Sequence, residues 1–187
     1  MIDRVLDLLL HPVEYFRSVA SEEVGSVLKT YLVLLCGYAL LVAVLAATGL
    51  SVTVPPRLSV PAGFPVIYPS AVSLPGWLLF IIGGSLVSTL VYALIIELVI
   101  WTVFGLECTK GIGQTLKARL IGQTPFLLFS WIPFLWIPAV LYDLILFVIG
   151  LRELHGISTG KAIVAAFLVP VLCLTPLVVL VLMRVNE

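Results

Sequence analysis

The chain has little of what a soluble or nucleic-acid-binding protein carries on its surface. Only 11% of its residues are charged, and ten Lys and Arg balance ten Asp and Glu, so there is no field of one sign to hold a polyanion. Nucleic acid is excluded as a partner on that ground. Three cysteines, Cys36, Cys108 and Cys173, occur without a C-x-x-C pair, and the two histidines, His11 and His155, are far apart. No zinc-site spacing arises, no metal or other cofactor is expected, and the cysteines read as small apolar fillers. A basic start leading into a short apolar run is also missing. Asp3, Arg4 and Asp7 interrupt the first ten residues, so a retained N-terminus is expected, not a cleaved signal peptide.

What is present is apolar sequence. Hydrophobic residues make up 61% of the chain, and the mean hydropathy is +1.23, which defines an integral membrane protein. The reading is all-α and polytopic, with five transmembrane helices at about 27–50, 77–104, 116–131, 139–151 and 162–183. Residues 1–26 form a cytoplasmic N-terminal segment and 27–187 the membrane domain. In that segment Ile2, Val5, Leu6 and Leu9 share a helical face opposite Asp3, Arg4 and Asp7, the pattern of a short interfacial helix.

Ala39, Ala43 and Ala47 recur at every fourth position of the first span and permit close helix contact. Ser85, Ser88, Thr89 and Tyr92, with Gly83 and Gly84, mark the packing face of the second. Pro55, Pro56, Pro61, Pro65 and Pro69 exclude a regular helix between the two. Pro125 interrupts the third span, Pro133 and Pro138 frame a turn, and Pro170 and Pro176 kink the fifth. The fourth has thirteen residues, ~20 Å of helix, so the third and fourth either cross fully in a thinned bilayer or form a re-entrant hairpin. Arg4, Arg17, Lys29, Lys110, Lys117, Arg119, Arg152 and Lys161 collect on one side of the five-span arrangement, and Arg57 and Arg184 on the other. Eight against two puts the N-terminus and the 152–161 hinge in the cytoplasm and the C-terminus outside, in a prokaryotic plasma membrane.

Two acids fall inside spans, Glu97 and Asp143, at similar depth from the cytoplasmic side. With Gln123, Thr124 and Tyr142 they are expected to form one polar cluster. Such a cluster either holds helices together, with Glu97 meeting Arg119, or forms an ion or proton site. In the hinge, Gly156 to Gly160 matches G-x-S-x-G, and Gly156 to Lys161 approaches a phosphate loop. The first needs a sheet this chain lacks, and the second has Ala162 where Ser or Thr is required. Ser158 or Thr159 instead caps the fifth span. His155 is placed at the membrane surface, to titrate near neutral pH or meet a partner. No catalytic constellation is found, so the chain is not read as an enzyme.

The run Gly150, Leu151, Arg152, His155, Gly156, Ser158, Lys161, Ala162 has the form G-L-R-x-x-H-G-x-S-x-x-K-A, and Pro12, Tyr15 and Phe16 fit P-x-x-[FY]-F. Together they resemble the Yip family, the five-span membrane proteins that interact with Ypt/Rab GTPases, in a compact form similar to its prokaryotic branch. The resemblance implies five spans, contacts with other membrane proteins or a second copy, and, in eukaryotic relatives, vesicle transport with cytoplasmic N-terminal regions that meet small GTPases. The short segment before the first span argues against GTPase binding here. The expected role is a membrane scaffold or assembly and trafficking factor among lipids and membrane partners. The alternative is a small transporter of an ion or solute that uses Glu97 and Asp143. Pro12, Tyr15 and Phe16 serve either as an interfacial anchor or as a binding motif.

Overall fold

A computed structural model describes residues 2–47, 74–105, 110–132 and 134–168. The described residues hold helices and no strand: α1 (Ile2–Leu10), α2 (Pro12–Val19), α3 (Val24–Ala47), α4 (Leu74–Val99), α5 (Ile112–Gly122), α6 (Thr124–Phe129), α7 (Trp136–His155) and α8 (Thr159–Leu168). The end of α4 widens into a π-helical turn, Ile100–Phe104. The proline-rich stretch, Cys108, Cys173, Pro170, Pro176, Arg57 and Arg184 lie outside the described residues.

Two helical stretches, Val24–Leu45 and Leu78–Phe104, are long and apolar enough to cross a membrane. Their outer faces carry Val33, Leu40 and Val44 on α3, and Leu79, Phe80, Leu90, Leu94 and Leu98 on α4, all exposed. Facing inward on α3 is a stripe at every fourth residue, Val27, Tyr31, Leu35, Ala39 and Ala43. Large aliphatics on the outer faces, with Ala39 and Ala43 letting a neighbour approach α3 on the inner one, suit lipid, where close helix contact replaces the hydrophobic effect as the source of association. Cys36, expected as a filler, is exposed on α3.

The inward face of α4 is centred on Thr89, Ala93, Ile96 and Ile100, not on the serines. Gly84 and Ser88 point outward. Ser88 satisfies its hydroxyl on the Ser85 carbonyl of its own helix, so it needs no partner helix in an apolar surround.

The α5 and α7 pair is the seam of the bundle, with α2, α3, α4 and α6 packed against one or the other. α5 begins at Ile112, four residues before the expected start. Gly111, at φ 89, turns the chain into the helix from a conformation that favours glycine. The helix breaks at Gln123, because the ring of Pro125 bars it from continuing, and restarts as α6 with that proline in its first turn.

α7 has twenty residues, not thirteen. It starts at Trp136 because Pro138 sits in the first turn, where a missing N–H costs nothing. It ends at His155, so Arg152 and His155 belong to its last turn and not to a loop. At ~30 Å it is long enough to cross a bilayer. Gly156, left-handed at φ 71, closes it, and its N–H bonds the Arg152 carbonyl at 2.9 Å. Ser158 then caps α8, accepting from the Lys161 N–H at 3.4 Å.

The N-terminal segment is built into the bundle. Leu8 of α1 is 2% exposed, with Val5 and Leu9 half-buried beside it, whereas Leu6 and Leu10 face outward. The docked face is therefore rotated from the one read off Ile2, Val5, Leu6 and Leu9, because leucines occupy both sides of this short helix. In α2, Pro12 opens the helix and Phe16 is fully buried.

Candidate functional site

Polar side chains gather along the α5 and α7 seam in two networks. The first surrounds Arg119 of α5. Its Nη1 donates to Asp143 Oδ1 of α7 at 3.0 Å, and the guanidinium lies 4.8 Å from the centre of the Tyr92 ring and 5.5 Å from that of Phe147. Gln123 completes the set. With its amide oxygen towards Arg119 it accepts from Nη2 and Nε at 3.0 and 3.2 Å, while its nitrogen donates to Tyr31 Oη of α3 at 2.7 Å and Thr89 Oγ1 of α4 at 3.1 Å. Tyr92 in turn donates to the Ala166 carbonyl of α8 at 3.3 Å. One cation thus ties α3, α4, α5, α7 and α8 together, its planar fork donating to the Asp143 carboxylate on one side and the Gln123 oxygen on the other. Gly122 makes the approach of α7 possible, since a Cβ there would already touch Asp143 and Phe147 at 3.4 Å.

The second network lies at the end of α7. Thr115 of α5 donates to the Glu97 carboxylate of α4. Its Oγ also meets His155 Nε2 at 2.9 Å. On the other side of the ring, the Lys110 N–H donates to His155 Nδ1 at 3.2 Å. His155 is 3% exposed, so it lies inside the protein and not at its surface.

The five residues expected as one cluster are therefore distributed. Gln123 and Asp143 meet through Arg119. Glu97 belongs to the His155 network. Thr124 is buried, lining a small cavity with Arg4, Leu8, Tyr31 and Leu120. Tyr142 donates its hydroxyl to the Leu9 carbonyl of α1 at 2.7 Å, fixing that helix against α7. Arg119 is found with Asp143, not with Glu97, because it lies one turn further along α5 than Thr115, the residue that reaches Glu97 of α4.

The hinge and the N-terminal motif converge. The Phe16 ring fills the space over Gly150, where a Cβ would come within 2.8 and 2.9 Å of the ring and 3.0 Å of Ala118. Tyr15 packs edge-on to Phe16, centroids 6.4 Å apart, and burial pushes its phenol above the ordinary value. Arg17 donates to Glu153 at 2.7 Å, and Arg152 pairs with the same carboxylate at 2.6 Å. Burial alone would raise the Glu153 pKa, but the hydrogen bonds from Arg17 and Arg152 outweigh it and hold the carboxyl below its usual value. Lys117, 2% exposed, turns its ammonium to the Val19, Ala20 and Glu22 carbonyls at 3.2, 2.9 and 3.0 Å. Three donors meet three carbonyls at the end of α2, a helix C-terminus closed by a cation from another helix. Lys161 lies over the Phe104 ring at 5.6 Å. Pro12, Tyr15 and Phe16 thus belong to an internal joint; Lys117 and Thr115 are participants that the sequence did not point to, and Arg119 was expected beside Glu97 and is found beside Asp143. Their signal was positional: Thr115, Lys117 and Arg119 recur two apart along α5.

Among the described residues no group of three or more His, Cys, Asp or Glu is placed to hold a metal. Apolar outer faces on two helices of membrane-crossing length, with an ion pair sealed between helices, define a helical integral membrane protein. The chain belongs to the Yip family: the Yip1 domain model matches residues 6–180, nearly its whole length. No curated protein and no solved structure matches it.

Proposed function

We propose that the protein is a five-span membrane scaffold or assembly factor of the Yip type, with no catalytic step. Its N-terminus and hinge face the cytoplasm and its C-terminus lies outside. The observation that carries this reading is the Arg119 site. The largely buried cation is balanced by Asp143, two further donors are met by Gln123, and the guanidinium lies against the Tyr92 and Phe147 rings, so the charge serves to hold helices in register. The count of Lys and Arg, eight against two, supports the orientation. The length of α7 supports the fourth span, and the α5 and α6 pair supports the third.

The transport reading depends on Glu97 and Asp143 acting together. Glu97 bonds Thr115 and Asp143 bonds Arg119, and no observation favours a shared ion between them. The partners proposed are bilayer lipids on the exposed apolar faces and other membrane proteins, including a second copy. The joint of α2 with the end of α7 is the cytoplasmic surface they would meet. A Rab-type GTPase is not proposed.

The test couples two assays on the purified protein. In liposomes with pH- and cation-sensitive dyes, the parent is expected to give no flux above empty liposomes. Extracted into nanodiscs from its native membrane, it is expected to bring a second copy or another membrane protein with it. Flux in the parent that disappears in a folded Glu97→Gln/Asp143→Asn variant overturns the scaffold reading.

A further inference from the structure

His155 is buried at the last position of α7, and both of its ring nitrogens are engaged. A backbone N–H has only a proton to offer, so the Lys110 contact at 3.2 Å fixes Nδ1 as a bare acceptor. Nε2 then carries the ring proton and donates to Thr115 Oγ at 2.9 Å, and the Thr115 hydroxyl donates in turn to the Glu97 carboxylate. Every bond in the chain from Lys110 to Glu97 has one direction.

Protonation of the ring changes one end only. Nε2 still donates to Thr115, and the Glu97 carboxylate, 3.9 Å from Nε2, gains an opposite charge. At Nδ1 two donors would face each other across 3.2 Å, and that contact must open. The charged ring is favoured from the α4 side and incompatible with a docked Lys110.

Among the described residues, the other charged groups of the neighbourhood favour release or are already engaged. The Lys110 ammonium sits beside Gly156, 3.3 Å from where a Cβ would be, and adds a like charge. Lys161 of α8 lies over Phe104, and Arg152 and Glu153 of α7 pair with each other and with Arg17. α5 contributes the neutral Thr115 hydroxyl.

We propose that His155 is a pH-operated latch: the neutral ring holds Lys110 to the end of α7, and protonation releases it. Imidazole changes charge between about pH 5 and 8, the range over which cytoplasmic acidification would act. Release frees the cation next to Gly156 on the same hinge surface that the scaffold reading offers to partners. The latch thus rests on that reading for its consequence, not for its chemistry.

The test reads the ring and the amide directly, whether or not a partner exists. With only two histidines in the chain, His11→Gln leaves a single imidazole for nitrogen-15 NMR in nanodiscs. At about pH 8 the ring is expected as the Nε2–H tautomer with a slowly exchanging Lys110 amide; at about pH 5 it is doubly protonated. The Lys110 amide then exchanges at least about tenfold faster, after correction for the intrinsic effect of pH. In His155→Gln the corrected rate is expected to be the same at both pH values. An Nδ1–H tautomer at about pH 8, a ring that stays neutral at about pH 5, or a charged ring with unchanged Lys110 protection overturns the latch. So does a pH response that persists in His155→Gln.

Discussion

The two polar networks of the seam sit on the same pair of helices and differ in kind. Around Arg119, a full positive charge meets a full negative one, and Arg119 and Gln123 each contact several of the other side chains. Around His155, the bonds run in single file through neutral groups to one carboxylate. The first arrangement resists change, because losing either charge strands the other between helices. The second is easily altered, because one proton reverses one link. The bundle therefore has a rigid clamp within it and an adjustable joint at its end, and each statement is open to substitution.

The largest effect is expected at the clamp. Arg119→Met leaves Asp143 buried beside aromatic rings, and a loss of about 3–5 kcal/mol is expected in thermal or denaturant unfolding in detergent. Next comes the joint's packing. Gly150→Ala places a methyl against the Phe16 ring, which is fully buried and has nowhere to move. A cost of about 1–3 kcal/mol is expected, exceeding the ~1 kcal/mol that Ala gains over Gly in a helix. Phe16→Leu in the same chain should return part of it, and protease sensitivity of the N-terminal segment reports whether α2 has come loose.

A smaller loss is expected from Thr115→Val, about 1–3 kcal/mol, since both Glu97 and His155 lose a partner at nearly constant volume. If that loss matched Arg119→Met, the contrast between clamp and joint would fail. The smallest effect belongs to Glu153. Its carboxyl is held below its ordinary value when folded, so the stability it contributes is present above the ordinary carboxyl range and fades as pH falls through it towards the folded value. Arg17 is 67% exposed, so Arg17→Ala should remove no more than about 0.2–1 kcal/mol at neutral pH. The parent and the variant should converge in unfolding midpoint at acid pH.

Much of this architecture was legible from local pattern. Long apolar runs announced α3 and α4, and Ala39 and Ala43 of the every-fourth-residue alanines lie on the buried face of α3. The two motifs at Pro12 to Phe16 and Gly150 to Ala162 were visible separately, but not that one ring fits over the other's glycine 134 residues away, since pairing between distant segments leaves no periodic trace. Helix ends were misread wherever glycine or proline occurred at a permitted place. Gly111 begins α5 and Pro138 stands in the first turn of α7, though each reads as a breaker. That shift hid Thr115, which reads as linker when α5 is started at Leu116, and with Thr115 it hid the real partner of Glu97. Lys117 read as a charge at the mouth of a span. It lies inside, because the open carbonyls of α2 offer an ammonium better solvation than a helix surface in lipid.

A double-mutant cycle on Arg119→Met and Asp143→Leu tests most directly whether the buried charges exist to hold the helices together. Each single substitution should cost about 3–5 kcal/mol in unfolding free energy, and the double variant far less than their sum, giving a coupling of about 3 kcal/mol. Additive losses, or single variants as stable as the parent, would contradict the account and leave the pair without a structural purpose.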